Sequence, residues 1–142
     1  MKLFKKVSAM VVSLLMALAM VVPVAAVNPT ITVKNIATDE NVTLSYLKVV
    51  KQDKTTKTGW AFVSDEVTKI FKEEYKKNDA QAILASLANS AAHSKALARL
   101  GNLNGFTKFT DNAGRKTEVD GAGLYVVKVV DNSNKYTYNV MA

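Results

Sequence analysis

The sequence predicts a mainly β domain that carries a helical insertion. Three observations predict it. Apolar residues alternate with a period of two at both ends of the chain, from Ile31 to Val50 and from Phe106 to Met141. Between them, from Ser64 to Leu100, the period becomes that of a helix. The chain has 142 residues and is 49% hydrophobic, which suits one globular domain and excludes a disordered one. The order strands, helices, strands argues against an alternating α/β fold.

Residues 1–26 read as a secretory signal. Lys2, Lys5 and Lys6 form a positive start, and Val7 to Val22 is apolar apart from Ser8 and Ser13. Pro23 breaks the run, and Val24-Ala25-Ala26 offers small residues for a signal peptidase, so cleavage is expected after Ala26. The alternative is an uncleaved anchor, because Val7 to Ala26 is long enough to span a bilayer. Removing the three lysines lowers the formal charge from +7 to +4, the 12 acids all lying beyond Ala26.

The first strand is Ile31 to Ile36, where β-branched residues alternate with polar ones. Thr38-Asp39-Glu40-Asn41 is a turn. Val42 to Val50 alternates again, with Val42, Leu44, Tyr46 and Lys48 on one side, and the two strands suggest a hairpin. Gln52 to Gly59 is polar and reads as an exposed loop. Trp60 to Val63 is a short edge strand.

Val67, Ile70, Phe71 and Tyr75 then form one stripe of a helix over Ser64 to Lys77. Ser64 caps its start, and the charges at each end suit the helix dipole. Asp79 caps a second helix with Ala80, Ile83, Leu84, Leu87, Ala88 and Ala91 on its apolar face. A third runs from Ser94 to Leu100 and stops at Gly101. Phe106 to Thr110 and Arg115 to Val119 flank a turn and read as a hairpin. Leu124 to Val130 is the strongest strand, its near-continuous apolarity predicting burial on both faces. Asp131 to Asn134 turns the chain back into Lys135 to Met141, with Tyr136, Tyr138 and Val140 on one face.

Composition removes several functions. Without Cys there is no disulfide, Cys-zinc site or thiol nucleophile. One His excludes any site that needs two imidazoles. The lysines are scattered and, from Asp53 to Asp79, interleaved with acids, which argues against a nucleic-acid interface.

Several segments, taken in order, resemble a known family. They are Ile31-Thr32-Val33-Lys34, Tyr46 to Val50, Thr58-Gly59-Trp60, the Ala-rich insert, Gly121 to Lys128, and Tyr136-Thr137-Tyr138-Asn139-Val140-Met141-Ala142. Together they resemble the N-terminal domain of the Gram-positive shaft (major) pilins, the sortase-assembled, isopeptide-forming fimbrial subunits. The resemblance covers nearly the whole chain after residue 26. It implies an immunoglobulin-like β-sandwich of the pilin N-terminal type. It also implies an exported structural protein of the cell surface, joined to other pilin subunits by a sortase, anchored in the cell wall and serving adhesion. The membrane would be met only through the signal segment before cleavage.

In that family the linking lysine follows the segment matching Tyr138-Asn139, and a sorting signal lies far beyond. Neither occurs here, so the chain reads as a truncated subunit or a stand-alone first domain. The alternative is a secreted binding module for host matrix or carbohydrate. An enzyme is not expected, and neither is a cofactor.

The resemblance also implies an internal Lys–Asn amide bond as candidate chemistry. Lys34 in the first strand would attack Asn139 in the last, with Glu118 as the proton-shuttling carboxyl. That requires a desolvated lysine and an apolar site, and an unpaired buried lysine is costly. The bland reading has all three residues on the surface. Trp60 is a candidate carbohydrate-stacking residue, against a packing role. His93-Ser94 lacks the elbow and the orienting carboxylate of a hydrolase and reads as a helix junction. Asp111-Asn112 and Asp131 to Asn134 are oxygen-rich but lack the spaced acids of a calcium loop, and read as turns with no metal. Lys69, Lys72, Lys76 and Lys77 read as a solvated face paired with Glu73 and Glu74, against a surface for anionic wall polymers.

Overall fold

The computed structural model describes residues 28–37, 39–87 and 94–142, and the backbone pairing of Lys5–Val7 and Met10–Ser13. The order of elements is β1 (Lys5–Val7), β2 (Met10–Ser13), β3 (Thr30–Lys34), β4 (Val42–Gln52), β5 (Trp60–Phe62), α1 (Asp65–Tyr75), α2 (Ala80–Leu87), α3 (Ser94–Leu100), β6 (Thr107–Lys108), β7 (Lys116–Glu118), β8 (Gly123–Asp131) and β9 (Tyr136–Tyr138). The domain is mainly β, with two antiparallel sheets and three helices among the described residues. Cleavage after Ala26 falls outside the described residues.

One sheet has β4 at its centre, with β8 along one edge and β5 and β6 along the other. The second runs β2-β3-β7. A separate parallel pair joins β1 to β9. The β4–β8 ladder is the spine of the molecule, from Val42↔Asp131 to Lys51↔Gly123. Its two faces carry different side chains because strand residues alternate. Val42, Leu44, Val127 and Val129 enter one apolar cluster with Ile31, Val33, Phe109 and Tyr138. Val49, Val50 and Val126 enter another, with Val67, Ile70, Phe71, Ile83, Leu84 and Leu100 of the helices. The expected two-sided burial of the Leu124–Val130 strand therefore holds as far as Val129, while Val130 at its end is 49% exposed.

An irregularity in the ladder between Lys48 and Val50 explains why the neighbours Val49 and Val50 enter the same cluster. Without it Val49 and Val50 would point to opposite faces. An extra residue in one strand lets two successive side chains share a face. Both valines thus meet the helices.

The helices form where their local signals place them. Ser64 Oγ accepts from Val67 N–H at 3.2 Å, and Lys76 ends α1 in the left-handed conformation at φ 52°. Val67, Ile70 and Phe71 are buried, as the stripe predicts. Asp79 Oδ1 accepts from Gln81 N–H at 3.0 Å and opens α2. Ala88 and Ala91 of the expected second helix lie outside the described residues. Gly101 follows α3 at a close approach, where an added Cβ would sit 2.6 Å from Val140 Cγ2.

Three sequence expectations need correction. The first strand does not pair with the second: β3 pairs with β2 and β7, and β4 lies in the other sheet. The strands around Asp111–Gly114 also part, β6 joining β4 and β7 joining β3. The bridge Asp111↔Lys116 and a bond from Thr110 N–H to Thr117 Oγ1 at 3.2 Å keep the base of the turn closed. In both cases period-two patterning identified a strand correctly but could not name its neighbour. Finally, Lys135 to Met141 is not one continuous strand. Tyr138 is buried in the β cluster, whereas Val140 packs with the helical one. Met141 returns to the spine through paired hydrogen bonds with Val127, at 2.7 and 3.0 Å.

Candidate functional site

The residues of the expected amide bond have definite places. Ile31 and Val33 of β3 point into the β cluster, so Lys34 points the other way and is exposed. Glu118 is exposed on β7, opposite Thr30. Lys34 lies four residues further along β3, roughly 13 Å at the rise of a strand. Asn139 is exposed directly after β9. The register therefore does not bring Lys34 and Glu118 together, and none of the three sits in the dry surroundings that would activate the amine.

Trp60 is half-buried on β5 and packs against the helical cluster. Its carbonyl accepts from Gln81 Nε2 at 3.0 Å and from Thr56 Oγ1 at 2.8 Å. Gln81 Oε1 in turn accepts from the N–H and hydroxyl of Thr58, at 3.0 and 2.6 Å. Asp53 organises the other end of this loop, accepting from Thr55 N–H and Thr55 Oγ1. These bonds hold its carboxyl below the usual aspartate range. The polar loop is thus an ordered cap over α2, tied to Trp60 through its backbone.

The lysine face of α1 is arranged differently from expectation. Glu73 and Glu74 are engaged mainly by Arg99 of α3, at 2.8 and 3.2 Å. These carboxylates raise the guanidinium pKa above its ordinary value. On the lysine face itself, Lys69 stands 4.0 Å from Glu73. The acids clamp two helices together instead of neutralising their own face.

The turns at Asp111-Asn112 and Asp131 are expected from the sequence, but the hydrogen-bonded locks that their side chains form are not. Asp131 is buried, and each of its oxygens accepts two hydrogen bonds. Oδ1 takes Ser133 N–H and hydroxyl at 2.9 and 2.7 Å, and Oδ2 takes Lys135 and Tyr136 N–H at 2.9 and 2.8 Å. The Ser133 hydroxyl is the first cause that holds this carboxyl below the usual range, and backbone N–H groups reinforce it. Its oxygens are committed to the turn, which leaves them poorly placed for a cation. Arg115 is buried at φ 57° and donates to the carbonyls of Asn112, Ala37 and Glu40, at 3.1, 3.0 and 2.9 Å. It pins the link between β3 and β4 to the turn before β7. Asn112 accepts from Leu44 N–H and donates to Val42 C=O, both at 2.8 Å. Its side chain pairs the edge of β4 as another strand would.

A further pair of lysines lies on opposite faces of the spine. Lys48 donates to Asp120 C=O and stands 5.4 Å from the Tyr125 ring centre. The Tyr125 hydroxyl donates to the same turn, at Asp120 and Gly121 C=O. Burial, then Asp120 and Tyr46, push its pKa up to about 12. Lys128 donates to Gly101 C=O at 3.2 Å and stands 4.4 Å from the Phe106 ring centre. Each lysine holds its ammonium over an aromatic ring and donates to a turn carbonyl.

Among the described residues no three His, Cys, Asp or Glu side chains gather as a metal would need. His93 lies outside the described residues, and Ser94 begins α3. No family model, curated protein or solved structure matches the chain.

Proposed function

We propose that the chain is an extracellular structural module, the N-terminal domain of a fimbrial shaft subunit with an immunoglobulin-like β-sandwich. One observation carries the reading. A long antiparallel spine packs against an apolar cluster on each face, and the polar side chains of Asp131 at its end and Asn112 beside it are spent on tying a turn and a strand edge. That arrangement suits a domain that must resist deformation. The zero cysteine count makes core packing and turn locks its means of support. Export by residues 1–26 completes the proposal, with head-to-tail linkage to other subunits by a sortase where the full-length protein continues past residue 142.

The test is made on the producing cell. Wall extracts probed with an antibody to residues 27–142 should give a ladder of products that survives boiling in detergent. Deleting the cell's pilus sortase should collapse the ladder to a single band. A single band in the parent strain, or a ladder indifferent to the sortase, overturns the reading.

A further inference from the structure

We propose that Asn104–Gly105 is a site of spontaneous covalent modification, where Asn104 closes to a succinimide and reopens as aspartate and isoaspartate. The reaction needs an unhindered carboxamide, a free N–H on the next residue and no Cβ to block the approach. This is the sole Asn-Gly pair in the chain. Both residues are exposed. Among the described residues, neither the Asn104 side chain nor the Gly105 N–H has a hydrogen-bond partner. Gly105 sits at φ 94°, and the nearest atom to a Cβ placed there would be Leu47 Cδ1 at 4.0 Å.

Other asparagines in the fold show what protection looks like. The Asn112 amide is held between Val42 and Leu44. Asn132 is held by Asn41 and Thr43. Asp120–Gly121 is the one Asp-Gly pair, and Lys48 and Tyr125 clamp its carbonyls. Asn104–Gly105 has no such restraint.

The step balances without an outside reagent other than water. The Gly105 nitrogen bonds to Asn104 Cγ, and the bond from Cγ to the side-chain nitrogen breaks. Ammonia leaves with the proton from the Gly105 N–H. Water then opens the ring. Opening at Cγ gives aspartate; opening at the main-chain carbonyl routes the backbone through the side chain, one methylene longer. Either product adds a negative charge to the strap between α3 and β6. Lys128 pins that strap at Gly101 and at Phe106, so the extra length falls on the exposed middle.

The full chain should be incubated at pH 8 and pH 5 and mapped by peptide mass. The peptide holding Asn104 should first lose about 17 Da and then end about 1 Da heavier than at the start, faster at the higher pH. Hydroxylamine should cut the intermediate between residues 104 and 105. That cut separates it from a Lys–Asn amide bond, which gives the same initial loss but a cross-linked peptide. Asn104→Gln should abolish both the mass change and the cut while leaving the folded spectrum unchanged. If Asn104 stays intact in the folded chain at pH 8, the proposal fails. It fails equally if the change maps to another asparagine.

Discussion

The two apolar clusters on either side of the β4–β8 spine are assembled in different ways. The buried residues of the helical cluster come from one contiguous stretch, Val49 to Leu100, apart from Val126 of the spine. The β cluster reaches from Ile31 to Met141 and joins strands far apart in sequence. Closing the first needs short loops, while closing the second must bring both ends of the chain together. One cluster is therefore a product of local pattern, and the other of topology. The spine couples them, because adjacent residues Val126 and Val127 face opposite clusters.

The largest effect should come from emptying either cluster. Phe71→Ala and Leu44→Ala, both at fully buried sites, should each cost about 4 kcal/mol. If the spine makes the domain one cooperative unit, each variant should speed hydrogen exchange on both sides of it. Accelerated exchange in α1 to α3 alone after Phe71→Ala would mean that the clusters unfold separately. Val126→Ala and Val127→Ala test the same coupling at its centre. Each should cost about 2 kcal/mol by urea titration, with an unchanged slope. A slope that falls for one variant and not the other would break the equivalence of the two faces.

Asn112→Ala should cost about 1.5 kcal/mol, because it strips the Leu44 N–H of its partner at the edge of β4. That loss belongs to the β side, and exchange at Leu44 should report it directly. Ser64→Ala removes the α1 cap and should cost about 1 kcal/mol, first visible as fraying of the helix. The smallest expected effect is a pH dependence. The fold lowers the Asp131 pKa, so the ionised carboxylate favours the folded state. This stabilisation is present above the unfolded aspartate pKa and is lost as pH falls through the folded value. Thermal melts from pH 7 to pH 2 should therefore show a shallower acid decline for Asp131→Asn, on top of a lower Tm at neutral pH.

The difference between the clusters also marks which parts could be read in advance. α1 was legible to its cap because Ser64, Val67, Ile70, Phe71 and Lys76 lie within one short window. The Leu124–Val130 strand was legible because its apolar run is continuous. The two hairpins were not, because a strand's partner depends on which edges the rest of the chain leaves open. The polar locks were hidden for the same reason. Asn112 and Val42 are far apart in sequence and meet only once β6 and β7 part into different sheets. Of the candidate site residues, Lys34 and Glu118 lie on strands as read, whereas Asn139, expected in the last strand, follows β9, and their mutual distances depend on register.

From Ile31 onward the amino-acid pattern alone determined where most strands and the helices form, most of the apolar faces and where the caps lie. Those properties follow from steric and hydrogen-bond preferences over a few neighbouring residues. The tertiary structure decided which strands pair, where β4 changes face and which polar side chains become buried locks. Such choices depend on closing long loops around a common interior, and no local window contains the free energy of that closure.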